Sequence, residues 1–154
     1  MDEKVYFIKT GMFELLQKLT EPTTPTWGKM NAQQAIEHLA DFFDVSTGKI
    51  VFDLVTPEEH LPKYREFLYS EKQFRENTQA PVSVLGSEPM PARQPSFASS
   101  LTHLSKSVNQ FFVFFESTPG QKTMHPVFGP LTFDEWVLLH YKHVRHHLRQ
   151  FALL

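Results

Sequence analysis

Two histidines four residues apart, His143 and His147, present both imidazoles to one face of a helix, close enough to share an ion. Neutral imidazole ligates zinc and related divalent metals, but two ligands make a weak site and a third donor must converge from elsewhere. The chain contains no cysteine, which removes thiolate ligands, thiolate nucleophiles, disulfides and iron–sulfur clusters. Any metal must then be held by histidine and carboxylate. Eight histidines are present, and His125, His140, His143, His146 and His147 fall in one C-terminal stretch. Outside it, His38 is the best-placed donor: Ala35, His38, Phe42 and Val45 follow i, i+3, i+7, i+10 spacing, so His38 lies along the apolar side of a helix. The same residues have plainer readings, His38 as a hydrogen-bonded core or boundary histidine and the C-terminal cluster as a solvated or proton-responsive helix surface.

The remaining histidines divide by position. His140 lies three before His143 and seven before His147, on nearly the same face, where it reads as a residue behind the ligands or at the entrance to them. His125, in a proline-rich loop, reads either as a proton shuttle overhanging the site or as a loop-shaping hydrogen-bond partner. These two are the candidate catalytic groups. His146 points a quarter-turn or more away and is expected on the surface, and no spacing argument attaches to His60 or His103. Glu37 and Asp41 flank His38 but turn from its face, toward an expected solvated surface. Gln34 and Gln150 are placed to orient imidazoles.

Elements must hold these groups in place, and proline maps them. Eleven prolines cluster at 22/25, 57/62, 81 to 95 and 119 to 130. Proline costs a helix interior about 3 kcal/mol, so helices belong to the windows between. Val5, Met12, Leu15 and Leu19 mark a first helix in which Gly11 is the weak residue. A second is expected from about Asn31 to Ser46, with Gly48 past its end. Residues 58–75 read as a partly exposed helix or ordered excursion, and 82–95 as a connecting loop. Ser96 opens a strong helix with an apolar stripe from Phe97 to Phe115, and the Phe111 to Phe115 cluster reads as core or dimer interface. Met124 to Pro130 is too broken for regular structure and is expected to be a shaped loop. Thr132 with Glu135 three residues on is a capping box, and no breaker follows before Phe151, giving a last helix of roughly 30 Å. Trp27 and Trp136 are expected as core anchors. No strand pattern of convincing length appears, so the fold class is all-α, in one domain over residues 1–154.

A formal charge of −2 offers no grip on phosphate backbones or anionic lipid, so neither nucleic acid nor membrane is an expected partner. The first residues carry acidic groups and no apolar stretch of signal-peptide length, and the expected location is cytoplasmic.

Two segments carry a family likeness. Trp27-Gly28-Lys29-Met30 leading into Asn31 to Leu39, and His125-Pro126-Val127-Phe128-Gly129-Pro130-Leu131 followed by Trp136 and Tyr141 to Phe151, together resemble the DinB-like superfamily, in particular a branch with WGKM and HPxFGPL motifs. The likeness covers nearly the whole chain, with residues 48–95 contributing little. It implies a four-helix bundle of up-down-down-up order with an added excursion in the middle. It further implies a divalent metal (zinc, nickel, iron or manganese) on His38, His143 and His147, with open positions of the kind catalytic sites keep. The activity implied is that of a thiol S-transferase using a small-molecule thiol and an electrophile, or of a hydrolase. The alternative is a non-catalytic protein, metal-stapled or homodimeric.

Overall fold

Helix forms where apolar residues recur at helical spacing between prolines. The computed structural model describes residues 1–154. The first window holds α1 (Asp2–Tyr6), a π-helical turn (Phe7–Gly11) and α2 (Met12–Leu16), run together as one helical rod. The wide turn ends at Gly11, where a Cβ would sit 3.0 Å from the Phe7 ring. Next comes α3 (Ala32–Ser46), opened by a reciprocal cap in which Asn31 Oδ1 accepts from the Gln34 N–H (2.8 Å) and Gln34 Oε1 accepts from the Asn31 N–H (2.9 Å). It closes as Gly48 predicts: at φ 75° the chain turns, with the Lys49 N–H donating to Asp44 O and the Gly48 N–H to Val45 O.

A 3-10 turn (Glu58–His60) leads into α4 (Leu61–Tyr69), within the expected excursion. The segment expected as plain loop contains one helical turn, α5 (Val82–Leu85), made possible by Pro81 just before it. Helix α6 (Phe97–Ser117) starts at Ser96, whose Oγ accepts from the Ser99 N–H. The expectation of no regular structure at 124–130 is corrected: β1 (Thr123–His125) and β2 (Gly129–Leu131) form a small antiparallel hairpin, with His125 opposite Gly129. The fold is therefore mostly helical rather than purely so. Pro126 starts the turn, Gly129 adopts φ 78°, and Pro130 sits where its missing N–H costs nothing because the hairpin has no third strand. Finally, α7 (Phe133–Gln150) carries the predicted box, Glu135 Oε2 accepting from the Thr132 N–H (2.9 Å).

The core is assembled from Ile8 and Met12 of the first rod, Ile36, Leu39 and Phe43 of α3, Leu104 and Phe111 of α6, and Trp136, Val137 and Leu148 of α7. Each such burial contributes about 1.5–3 kcal/mol. Phe111, Phe112 and Phe115 are buried here, which assigns that cluster to the core. Partners along the helices show their directions. Gln33 reaches Gln94 O ahead of α6, Asp44 faces His103, and Lys49 meets Gln110, so α3 and α6 run parallel. On the other side Phe43 stacks on His140 while His38 meets His147, so α3 and α7 are antiparallel.

Parallel neighbours cannot be joined by a tight turn, and residues 47–96 form the long crossover. Its first half is fastened to α7: Tyr69 and Arg65 reach Glu135 (3.3 and 3.8 Å), and Lys142 Nζ donates to Ser70 O and Lys72 O (2.6 and 2.5 Å). No helix is long and apolar enough to cross a membrane.

Candidate metal centre

The antiparallel packing of α3 and α7 brings His38, His143 and His147 to one point. His143 Nε2 stands 2.9 Å from His38 Nε2 and 3.1 Å from His147 Nε2, and the three donor atoms all fall within 4.8 Å of one another. Two imidazole nitrogens on one tetrahedral zinc are about 3.3 Å apart at Zn–N distances of 2.0–2.1 Å, and the two separations that His143 makes lie within a few tenths of an ångström of that value. Burial drives all three toward the neutral form: it is the main cause that lowers His38 to about 4, with His146 adding to it, and it holds His143 and His147 well below the ordinary histidine range.

The proton on His147 is placed by a neighbour. Gln150 Nε2 donates to Trp27 O (3.0 Å), which leaves Gln150 Oε1 facing His147 Nδ1 at 2.7 Å. An amide oxygen only accepts, so Nδ1 carries the hydrogen and Nε2 of His147 presents a lone pair to the cluster. Three neutral imidazoles with no carboxylate among them suit a divalent ion, and the residues present fit the group that the sequence pattern implies. The hydrogen bond expected of Gln150 is present. Gln34, by contrast, orients no imidazole; its side chain is spent on the α3 cap and on Met90 O.

The cluster opens on a cavity of about 480 Å³. Its wall is largely aromatic and aliphatic, with Trp27, Phe42, Phe74 and Phe128 contributing rings, and residues 77–91 of the crossover close the far side. The charged groups on the wall are paired: Lys29 with Glu88 (2.6 Å), and Arg93 with both Asp41 (2.6 Å) and Glu37 (3.6 Å).

The structure places the other expected residues as follows. The His140 ring is 1% exposed, stacked on Phe43 at 3.8 Å and on Trp136 at 5.3 Å, with Nε2 lacking any partner. His125 takes up its loop-shaping part: Nδ1 accepts from the backbone N–H groups of Val127 (3.0 Å) and Phe128 (3.2 Å), while the ring lines the cavity. The surface expectation for His146 is overturned. It is buried between Trp27 and Phe74, because the crossover and the segment before α3 fold over that quarter of α7. Glu37 is likewise buried rather than solvated, its Oε1 accepting from the backbone N–H groups of Arg93 (2.8 Å) and Gln94 (3.1 Å); Asp41 is partly covered beside it. Neither is cut off from His38: Asp41, three residues on, is its neighbour on the helix, and both carboxylates lie on the same cavity wall. Trp136 is a core anchor as expected, while Trp27 is half-buried and serves as cavity wall. His60 is exposed and His103 faces Asp44.

One further residue supports the site with no spacing argument to mark it. Gly28 has φ 76°, and a Cβ there would stand 2.8 Å from Gln150 Nε2. Its bare backbone leaves room for the amide that orients His147. A glycine directly after Trp27, shortly before the Asn31 cap, was the available signal.

The family model of the DinB superfamily matches residues 12–151. No curated protein matches the chain, and no solved structure does.

Proposed function

Because the chain belongs to the DinB superfamily, we propose that it binds one divalent metal through His38, His143 and His147 and uses the cavity side of that site for catalysis, as a thiol S-transferase or a hydrolase. The bundle reads as up-down-down-up, supported by the parallel pairing of α3 with α6 and the antiparallel pairing of α3 with α7. The observation that carries the functional reading is the convergence of three neutral imidazoles on the wall of a cavity, one of them with its tautomer set by Gln150.

A divalent metal so held lowers the pKa of a water or thiol bound to it and supplies a nucleophile at neutral pH. The chain's own groups do the rest. Gln150 holds His147 in the ligating tautomer. The aromatic wall excludes water and takes the apolar part of a substrate, and the absence of cysteine means that any thiol comes with the substrate.

Elemental analysis of protein purified without a histidine tag tests the reading. The expected result is about one divalent ion per chain, lost on His143→Ala, since His143 touches both other donors. Absence of metal, with His143→Ala leaving thermal stability unchanged, overturns it. Turnover in a panel of thiol–electrophile pairs or activated esters supports catalysis; bound metal without any turnover leaves a metal-stapled binding protein instead.

A further inference from the structure

His125 is a histidine on the cavity wall whose hydrogen-bonding state is dictated by backbone groups of its own turn. Two N–H groups, of Val127 and Phe128, converge on Nδ1 at 3.0 and 3.2 Å, so Nδ1 must offer its lone pair. A neutral imidazole carries one hydrogen, which is then on Nε2. Burial keeps the ring neutral, pushed down to about 3. Nε2–H has no partner within the chain, and it belongs to a ring that lines the cavity and, unlike Nε2 of His140, is not among the fully buried unpartnered atoms. A proton relay through an imidazole needs both nitrogens free to exchange, and here one is occupied.

We propose that His125 is a positioning residue whose Nε2–H donates a hydrogen bond to a neutral carbonyl or amide oxygen at the far end of a small, largely apolar ligand. This rests on the reading above, in which the near end of the ligand lies at the three-histidine site. Phe42 connects the two ends: its ring is 5.6 Å from His125 and 5.1 and 5.3 Å from His38 and His143. A chain of a few atoms lying along Phe42 reaches from one to the other. The choice of a neutral oxygen follows from the wall, where Lys29 and Arg93 are both committed to carboxylates and no free cation remains to offset a desolvated anion.

The two parts His125 plays separate in one variant. In His125→Asn the side-chain oxygen takes over the acceptor position of Nδ1 and keeps the turn, while the amide nitrogen stands in the place of Cδ2 and falls short of the position from which Nε2–H donates. The probes are N-acetylcysteamine, a thiol with an amide carbonyl, and 1-pentanethiol, which lacks it, each titrated into the cobalt-loaded protein and followed by the thiolate-to-metal charge-transfer band. Loss of one hydrogen bond predicts about a three- to tenfold weaker affinity of the variant for the amide thiol and no change for the alkyl thiol. In parallel, long-range proton–nitrogen spectra of the full chain are expected to show His125 as the Nε2–H tautomer, unchanged between pH 5 and 8. Equal weakening for both probes, no weakening for either, no binding of the amide thiol to the parent protein, or a hydrogen on Nδ1 each overturns the proposal. Failure to take up cobalt at all overturns instead the metal-site reading on which it rests.

Discussion

The two sides of the cavity are built on different principles. On one side α3 and α7 are long, capped at their starts by Asn31 with Gln34 and by Thr132 with Glu135, and locked together by Phe43, His140 and Trp136 in stacked contact. On the other, residues 77–91 carry a single helical turn and are tied down by a few polar contacts, including the exposed pair of Lys29 with Glu88 and the bond from Gln34 Nε2 to Met90 O. Groups meant to hold an ion at fixed separation sit on the regular side, where rotamers are limited by packing. The irregular side bears no member of the cluster and only encloses it.

Substitutions on each side measure that contrast. Trp136→Ala, at the centre of the rigid side and with its Nε1–H on Thr123 Oγ1 (2.7 Å), is expected to lose about 3–5 kcal/mol in urea unfolding. A loss below 1 kcal/mol would remove the basis for calling this side rigid. Gln150→Leu keeps the bulk but frees the His147 tautomer, and metal affinity is expected to fall about 10–100-fold by competition with a chelator. Gly28→Ala acts in the same direction and more weakly, by crowding Gln150 Nε2. The acid response sharpens the comparison further. His38 and His125 are held neutral at about 4 and about 3 when folded, whereas unfolded histidine takes up its proton near 6.5. Their folded values being depressed, the metal-free protein is expected to have its full stability above pH 6.5 and to lose it as pH falls toward 4, read as a falling melting temperature. Smallest is Lys29→Ala on the irregular side: both partners are exposed, and a change of no more than about 0.5 kcal/mol is expected.

Much of the rigid side was legible in the sequence, because helical phase is a local property. Spacing placed His143 and His147 on one face and His38 along the apolar side of its own helix, and the family likeness joined the three, as the structure does. The caps at Gly48 and Thr132 are short-range chemistry and stand where their residues announce them. What was not legible is what lies opposite a given face. Phase alone turned Glu37 and His146 outward, and the tertiary paths of residues 74–94 and of the segment at Trp27 cover them. The hairpin at 123–131 escaped for another reason: three residue pairs are too few for an alternating pattern to declare itself, and prolines mask it.

Because α3 and α6 run parallel, the chain must travel back along the bundle between them, and the travelling segment is the one that roofs the cavity. Loop closure grows slowly with length, about 0.6 kcal/mol for each doubling. The roof can therefore be lengthened, shortened or rewritten over generations at little expense to the fold and without moving any of the three histidines. A topology that needs a long return path thus separates inheritance of the site's chemistry from diversification of what the site admits.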